Sequence, residues 1–301
     1  MLQKKGGKLV PSFPAWAKLN LGLKVGAKRP DGYHDIISVM QTVSLADKVE
    51  LTPRRAGVSL EVVGADLPTD DTNLAVQAAH LIQDKCGVPS GVHIKLTKHI
   101  PLAAGLAGGS ADAAAVLYGM NVLWRLGLGS KELMELGAAI GSDVPFALLG
   151  GTGLAEGRGE IVSPLPPLPN CYLVLACPKV AVSTAWAYNE LDCGRAYFSP
   201  PVDINSLVKA LSLGDLALVA AGMANSFEPV VTTHFPVIND LKQALVAAGA
   251  KAALMSGSGP TVYGVFTELT EAKQAISILS TDVITYLAQP VTIGAGRFPK
   301  E

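Results

Sequence analysis

Charge is scarce in this sequence, and neither sign is in excess. Of 301 residues, 24 are Lys or Arg and 25 are Asp or Glu, so the net charge is −1 and the charged fraction is 16%. An average soluble domain has roughly 25% charged residues. Nucleic-acid-binding domains usually carry a basic patch, so this composition argues against a nucleic-acid partner. The hydrophobic fraction of 49% argues against a disordered chain.

The sequence also lacks paired cysteines and a targeting segment. No C-x-x-C pair is present, which argues against a zinc or thioredoxin-like site and favours reduced thiols in the cytoplasm. Residues 1–13 contain no apolar signal-peptide core. Residues 101–124 are long and apolar, but three glycines, Ser110 and Asp112 would break a membrane span. We therefore expect a loop, then a buried helix, and no membrane partner. The cysteines are Cys86, Cys171, Cys177 and Cys193.

The pattern of hydrophobic residues predicts an α+β fold without internal repeats. The proline-rich segment 164–170 has no room for a helix or a central strand. We place a domain boundary there, between residues 1–163 and 164–301. Strands are expected over 15–25, 36–44, 47–52, 91–98, 171–177, 251–255, 261–266 and 290–295, with a tight turn at Ala46–Asp47. Helices are expected over 72–86 (with Asp71 or Thr72 as N-cap), from the glycine-rich loop to about Leu126, and over 130–140, 184–191, 235–248 and 270–279, with two more between 203 and 225.

Glycine is the residue type in excess, at 31 of 301, or about 10% against a usual ~7%. The run PLAAGLAGGSAD, from Pro101 to Asp112, follows a predicted strand and opens a predicted helix. Glycine allows close approach of the backbone to a ligand, and the N–H groups at a helix start attract anions. The residues alone leave two interpretations about equally supported, a phosphate-binding loop and a tight structural turn.

Competing motifs do not fit the sequence. A Walker A loop needs G-x-x-x-x-G-K-[ST], which is absent. A nucleophile elbow needs a second glycine where this chain has Asp112. The glycines of residues 150–160 resemble a dinucleotide fingerprint, but no helix is expected to follow them. We interpret residues 150–160 as a hairpin.

Two isolated charges in apolar segments are further candidates. Lys18 and Asn20 share one face of the strand expected over 15–25, and its other face is apolar. An unpartnered buried ammonium is costly, so an exposed lysine is the simpler interpretation. Asp143, in GSDVPF, is a helix cap ahead of Pro145 or else a group that accepts a hydroxyl proton or holds a cation. MSGSGPT, over 255–261, indicates a turn between strands.

Together and in this order, these segments resemble the GHMP kinase superfamily, which includes galacto-, homoserine, mevalonate and phosphomevalonate kinases. Its three signatures, including the phosphate loop and a C-terminal glycine turn, span nearly the whole chain. Four runs narrow the resemblance to the branch that phosphorylates the 2-hydroxyl of diphosphocytidyl methylerythritol in isoprenoid precursor biosynthesis. They are AKLNL (17–21), RPDGYH (29–34), PLAAGLAGGSAD (101–112) and GSDVPF (141–146).

The resemblance implies a two-domain GHMP kinase fold with the active site in the interdomain cleft, with ATP and Mg²⁺ as cofactors. In the family, Asp143 would be the base toward the substrate hydroxyl, and Lys18 would neutralise charge as the phosphoryl group moves. The adenine would lie near Asn73 and Lys98. The implied ATP-binding residues are Pro101, Leu102, Ala103, Ala104, Gly105, Leu106, Ala107, Gly108, Gly109, Ser110, Ala111, Asn73 and Lys98.

The same resemblance implies a small-molecule substrate, a cytidyl diphosphate methylerythritol, and a monomer or weak homodimer. Tyr33 and His34 would hold the cytosine and Tyr188 would close its other face. The implied substrate-binding residues are Asn20, Tyr33, His34, Thr184 and Tyr188. Two alternatives stay open: a GHMP kinase acting on homoserine or mevalonate, and a GHMP-fold binding protein without catalysis.

The phosphate loop departs from the family pattern at two positions. Ala107 and Ala111 stand where many relatives have glycine or serine. Ser110 is therefore the only hydroxyl in the loop and the candidate Mg²⁺ ligand.

Overall fold

The computed structural model describes residues 2–5, 8–193, 201–279 and 281–297, which form one sheet of eight strands and another of four, with helices against both. The strands are β1 (Leu2–Lys5), β2 (Lys8–Lys28), β3 (His34–Arg54), β4 (Val58–Val63), β5 (Gly91–Thr97), β6 (Thr152–Glu156), β7 (Ile161–Pro164), β8 (Tyr172–Pro178), β9 (Ala224–Asn225), β10 (Ala252–Met255), β11 (Val262–Phe266) and β12 (Val283–Ala288). The helices are α1 (Leu74–Cys86), α2 (Gly108–Leu123), α3 (Ser130–Ile140), α4 (Val144–Leu149), α5 (Thr184–Asp192), α6 (Ile204–Leu213), α7 (Leu216–Gly222), α8 (Glu228–His234), α9 (Pro236–Ala247) and α10 (Leu269–Ile278).

The first sheet is built on two long antiparallel strands, β2 and β3. Its strand order is β1-β2-β3-β5-β4, with β6 beside β3, β7 beside β6, and β9 beside β2. Side chains alternate along β2, so Ala17 and Leu19 are buried in the core while Lys18 and Asn20 face the opposite side. Small residues of α2, from Ala113 to Ala115, let this helix pack closely on the sheet. The expected polar face of β2 is thereby confirmed.

The second sheet has the order β10-β11-β8-β12 and is antiparallel throughout. The proline-rich segment 164–170 lies where the chain passes from the first sheet to the second. A shared hydrophobic core joins the two halves: Leu19 of β2 packs in the same cluster as Leu175 of β8 and Leu207 of α6. The Tyr263 hydroxyl of β11 donates a hydrogen bond of 2.8 Å to the Asn20 carbonyl. The two halves are therefore packed as one body.

Several expected elements differ from the structure. The strands expected over 36–44 and 47–52 are one strand, β3, and the expected tight turn at Ala46–Asp47 is wrong. Asp47 is buried within β3, where its carboxylate accepts three hydrogen bonds. The expected N-cap at Asp71 or Thr72 is also wrong, because Asn73 caps α1 by accepting a hydrogen bond from the Ala75 N–H.

The strand expected over 290–295 is also wrong. The last strand is β12, over 283–288, and not 290–295. Residues 290–297 instead return to the first half without forming a regular strand there. The Ala295 N–H donates to the Ala147 carbonyl at 2.7 Å and the Gly296 N–H to the Pro14 carbonyl at 2.7 Å. The expected hairpin at 150–160 is confirmed as the β6–β7 pair.

The apolar stretch and the cysteines can be compared with what the sequence predicts for them. The apolar stretch 101–124 is a loop followed by the buried helix α2, as expected. In the described part of the chain, no helix has both the length and the apolar composition to cross a membrane. All four cysteines are free thiols.

We expect Tyr263→Phe to lower the free energy of unfolding by about 1–3 kcal/mol, because it leaves the buried Asn20 carbonyl without its donor. Chemical denaturation measures this change. Tyr286→Phe is the control, since Tyr286 lies against the same core but is only half-buried. Equal stabilities of wild type and Tyr263→Phe would show that this hydrogen bond does not stabilise the junction of the two halves.

Candidate active site

A cleft of about 850 Å³ opens between the two halves of the chain. Most residues predicted for the site line it. Two do not: Ala111 is buried beneath the loop, and the His34 ring stacks on Tyr188, which does line the cleft. The predicted residues that line the cleft are Lys18, Asn20, Tyr33, Asn73, Lys98, Asp143, Thr184, Tyr188 and residues 101–110.

The glycine-rich loop joins β5 to α2 and ends on an uncapped helix start. No side chain of the described residues caps α2, whose N-cap Ala107 has a left-handed backbone with φ 56°. The first N–H groups of a helix have no partner within the helix and carry the positive end of its dipole. Gly108, Gly109 and Ser110 face the cleft at this point. The loop therefore offers an anion site made largely of backbone.

A second glycine turn, over 256–259, fixes the loop from the other half of the chain. The Ser256 hydroxyl donates to the Gly105 carbonyl at 3.0 Å, and a Cβ on Gly105 would lie 2.3 Å from the Ser256 carbonyl oxygen. Gly105 has φ 74°, which favours glycine. The loop is also tied to β2, because the Lys18 N–H donates to the Leu106 carbonyl at 3.1 Å. The turn expected at 255–261 is confirmed.

Lys18 and Asp143 meet at the floor of the cleft. Lys18 Nζ donates to Asn20 Oδ1 at 2.7 Å and lies 3.8 Å from Asp143 Oδ2. Asn20 Nδ2 donates in turn to the Ser38 hydroxyl at 2.8 Å. The Lys18 side chain is 9% exposed and that of Asp143 is 30% exposed. The ammonium is therefore held in place while the carboxylate stays open to the cleft.

Asn20 and Ser38 explain how a lysine can be buried in an apolar strand. A buried ammonium is costly unless it is hydrogen-bonded and paired with an opposite charge. Lys18 has an amide oxygen as its hydrogen-bond acceptor and a carboxylate as its ionic neighbour. The exposed lysine that the sequence alone favoured is wrong.

A second buried lysine, Lys98, lies beneath the start of α2. Its ammonium donates to Asp47 Oδ2 and, at 2.6 Å, to Asp112 Oδ2. Burial alone would lower the pKa of Lys98, but Asp112 and Asp47 raise it above its ordinary value. Burial raises the pKa of Asp112 well above its usual range. Lys98 thus donates to two carboxylates, whereas Lys18 donates to an amide oxygen and lies 3.8 Å from its carboxylate neighbour.

Aromatic side chains form another part of the cleft wall. Tyr188 stacks on His34 with ring centroids 4.8 Å apart and an interplanar angle of 21°. Burial, with a smaller effect of Asp143, raises the pKa of Tyr188 to about 12, so its hydroxyl stays protonated at neutral pH. Tyr33 is 53% exposed, and the Arg158 guanidinium lies 5.0 Å from its ring centroid. This wall suits a flat, polar ring.

Hydrogen bonds hold the rest of this wall. His34 Nε2 lies 2.7 Å from Asp192 Oδ1, and Asp192 also accepts from Lys28 Nζ at 2.6 Å. The hydrogen bonds from Lys28 and His34 lower the pKa of Asp192. The Thr184 and Ser258 hydroxyls are 2.8 Å apart, which links α5 to the second glycine turn.

Three residues near the cleft were not found from the sequence. Asp47 shows no local pattern that indicates a site, and the sequence predicts a turn at its position. Asp192 depends on a long-range contact with His34 that no local pattern reveals. Arg158 could have been noticed as a cation within a glycine-rich hairpin, and it lines the cleft.

Comparison with known proteins places this cleft within a class of enzymes. The chain matches the family model of the GHMP kinases N terminal domain over residues 73–151 and that of the GHMP kinases C terminal domain over residues 207–284. The chain therefore belongs to the GHMP kinases, which are ATP-dependent small-molecule kinases. The mixed α+β architecture described above is the fold of that family.

Within that family, two relatives that match this chain carry the same name. The 4-diphosphocytidyl-2-C-methyl-D-erythritol kinase of Geobacillus kaustophilus is 48% identical to this chain, in an alignment that covers 84% of this chain and 87% of that kinase. The enzyme of the same name from Pelotomaculum thermopropionicum is also 48% identical, in an alignment that covers 86% of this chain and 90% of that enzyme. A crystal structure of 4-(cytidine 5'-diphospho)-2C-methyl-D-erythritol kinase matches with a TM-score of 0.79 at 33% identity, covering 93% of this chain and 98% of that one. A homoserine kinase from Cytophaga hutchinsonii shares the fold. Its structure matches with a TM-score of 0.71 at 21% identity, covering 98% of this chain and 99% of that one.

We expect Gly105→Ala to lower the free energy of unfolding by at least about 2 kcal/mol, because its Cβ overlaps the Ser256 carbonyl and the residue needs a left-handed backbone. Gly109→Ala is the matched control, since its Cβ would lie 3.6 Å from its nearest neighbour, Leu74. Thermal and chemical denaturation compare the two variants. If Gly105→Ala were as stable as Gly109→Ala, the contact between the two glycine turns would not be a packing constraint.

Proposed function

We propose that this chain transfers the γ-phosphoryl group of ATP to the 2-hydroxyl of 4-diphosphocytidyl-2-C-methyl-D-erythritol. The observation that carries the proposal is the pairing of Lys18 with Asp143 at the floor of a cleft that also contains an uncapped helix start. The relatives of the same name, 48% identical to this chain, support the choice of substrate. We assign residues 1–163 to the N-terminal domain and 164–301 to the C-terminal domain.

Asp143 acts as the base toward the substrate hydroxyl. Its carboxylate is open to the cleft, and Lys18 Nζ lies 3.8 Å away. As the phosphoryl group moves, the Lys18 ammonium also offsets the negative charge that develops. Phosphoryl transfer depends on positioning and electrostatic stabilisation more than on covalent help. Asn20, by fixing the ammonium, contributes to that positioning.

The nucleotide lies along the glycine-rich loop. Residues 101–111 supply backbone N–H groups for the phosphates, with the helix start at Gly108 aimed at the anion. Asn73 is assigned to the adenine. Lys98, whose ammonium is buried beneath the start of α2, also belongs to the nucleotide side of the cleft. The lack of a basic surface is no obstacle, because the phosphates are bound by backbone groups.

The acceptor substrate lies on the aromatic side. Tyr33 and Tyr188 offer faces on which the cytosine stacks, and Thr184 supplies a hydroxyl group nearby. His34 contributes by stacking on Tyr188. All of these residues belong to one chain, so a monomer or a weak homodimer suffices for catalysis.

Mg²⁺ fits this cleft as an ion that arrives with the nucleotide. Among the described residues, no three His, Cys, Asp or Glu side chains are grouped to hold a metal by themselves. Mg²⁺ usually keeps several waters and takes only one or two protein oxygens besides substrate phosphates. Ser110 has an oxygen-bearing side chain that lines the cleft and would hold it. When bound, it would neutralise charge on the phosphates.

We expect Asp143→Asn and Lys18→Met each to lower kcat by at least about 100-fold, since each removes a group that acts on the transferring phosphoryl or the attacking hydroxyl. Neither residue is part of the glycine-rich loop, so the affinity for ADP is expected to stay close to that of the wild type. Steady-state kinetics and calorimetric titration with ADP measure the two quantities. Asp84→Asn, an exposed carboxylate on α1, is the charge control. A wild-type rate in either variant would remove that residue from the mechanism.

Substrate identity is tested by direct phosphorylation. Wild-type protein is incubated with Mg-ATP and, separately, with the diphosphocytidyl methylerythritol, homoserine and mevalonate. ADP release and phosphorus NMR of the products follow the reaction. We expect phosphorylation of the cytidyl substrate alone. Turnover of only homoserine or mevalonate would replace the proposed function with that of another GHMP kinase, and nucleotide binding without any turnover would indicate a binding protein.

A further inference from the structure

Asp47 joins the centre of β3 to the segment that leads into the glycine-rich loop. Its side chain is fully buried. Oδ1 accepts hydrogen bonds from the N–H groups of His99, at 2.5 Å, and Ile100, at 2.8 Å. Oδ2 accepts from Lys98 Nζ. One carboxylate therefore binds three consecutive residues, 98–100, immediately before the loop starts at Pro101.

Lys98 extends this connection to the other end of the loop. Its ammonium lies 3.4 Å from the position that a Cβ on Gly108 would take, and it donates to Asp112 of α2 at 2.6 Å. Gly108 is the first residue of α2, where the backbone N–H groups face the cleft. Both ends of the phosphate loop are thus attached to the same buried charge cluster.

We propose that Asp47 is a positioning residue for the nucleotide, acting through Lys98 and the N–H groups of His99 and Ile100 on both ends of the phosphate loop. Asp47 itself does not line the cleft. The inference rests on the proposed function only in requiring that the cleft binds a nucleotide, and it holds for any acceptor alcohol.

The two carboxylates of the cluster are not equivalent in their hydrogen bonding. Asp47 uses both oxygens as acceptors, one toward two N–H groups and the other toward the ammonium. Asp112 accepts only from Lys98, and its Oδ1 has no hydrogen-bond partner among the described residues. An amide has a single acceptor oxygen. In Asp47→Asn, the NH₂ group must therefore face either the Lys98 ammonium or the N–H groups of His99 and Ile100, and the hydrogen bonds on that side are lost. Asp112→Asn can keep its one acceptor contact.

The test compares ADP binding by full-length wild type, Asp47→Asn and Asp112→Asn, using calorimetric titration without any acceptor substrate. Loss of one hydrogen bond to a charged group corresponds to about tenfold or more in affinity, so Asp47→Asn is expected to weaken ADP binding by at least about that factor. Asp112→Asn is expected to weaken it by less than about threefold, because its contact with Lys98 is retained. Circular dichroism confirms that each variant is folded.

Kinetics separate positioning from general destabilisation. We expect Asp47→Asn to raise KM for ATP while leaving KM for the acceptor near its wild-type value. Among the described residues, no hydrogen bond joins the cluster to Tyr33, Thr184 or Tyr188. If Asp47→Asn does not fold, Asp47→Glu replaces it: the longer side chain keeps a charge beside Lys98 but cannot keep the carboxylate between the two N–H groups.

Three outcomes would overturn the inference: unchanged ADP affinity in the folded Asp47 variant, equal losses for the Asp47 and Asp112 variants, or parallel losses of ATP and acceptor affinity. Failure of the wild type to bind ADP would instead contradict the proposed function, so the two failures are distinguishable.

Discussion

The close contact between two glycine turns, one from each half of the chain, determines where the groups of the cleft lie. Gly105 and Ser256 approach so closely that a single added Cβ would overlap backbone. The same loop is tied to β2 through the Lys18 N–H, which links it directly to the strand that carries Lys18 of the Lys18–Asp143 pair. The shared core around Leu19 and Tyr263 holds this arrangement from below. Positioning of this kind is what phosphoryl transfer demands of a protein.

Two buried lysines serve the cleft, and their partners give them different capacities. The Lys98 ammonium donates to two carboxylates, so its charge is balanced inside the protein. Lys18 has an amide as its hydrogen-bond partner, and the Asp143 carboxylate stands 3.8 Å away. The positive charge of the Lys18 ammonium is therefore less completely balanced and can still attract negative charge in the cleft. Burial of a lysine does not by itself identify a role; the number of acceptors around it does.

Much of the cleft follows from local patterns in the sequence, and the rest depends on long-range packing. Alternation along β2 places Lys18 and Asn20 on one face, and the glycines mark the phosphate loop before α2. No local pattern shows that Asp47 continues a strand, because its partners, residues 98–100, are about fifty positions away. The position of His34 behind Tyr188 has the same origin, since α5 and its Asp192 come from the other half. The sequence predicts a strand over 290–295, and the contacts of Ala295 with Ala147 and of Gly296 with Pro14 cannot be read from the residues of that segment.

A nearly neutral chain can bind polyanions because the attraction is local. Lys98, Asp47 and Asp112 pair with one another beneath the start of α2. The positive end of the α2 dipole faces the cleft at this point. Under the proposed function, backbone N–H groups bind the phosphates, and glycine allows the close approach that this binding needs. An excess of glycine can thus take the place of an excess of positive charge.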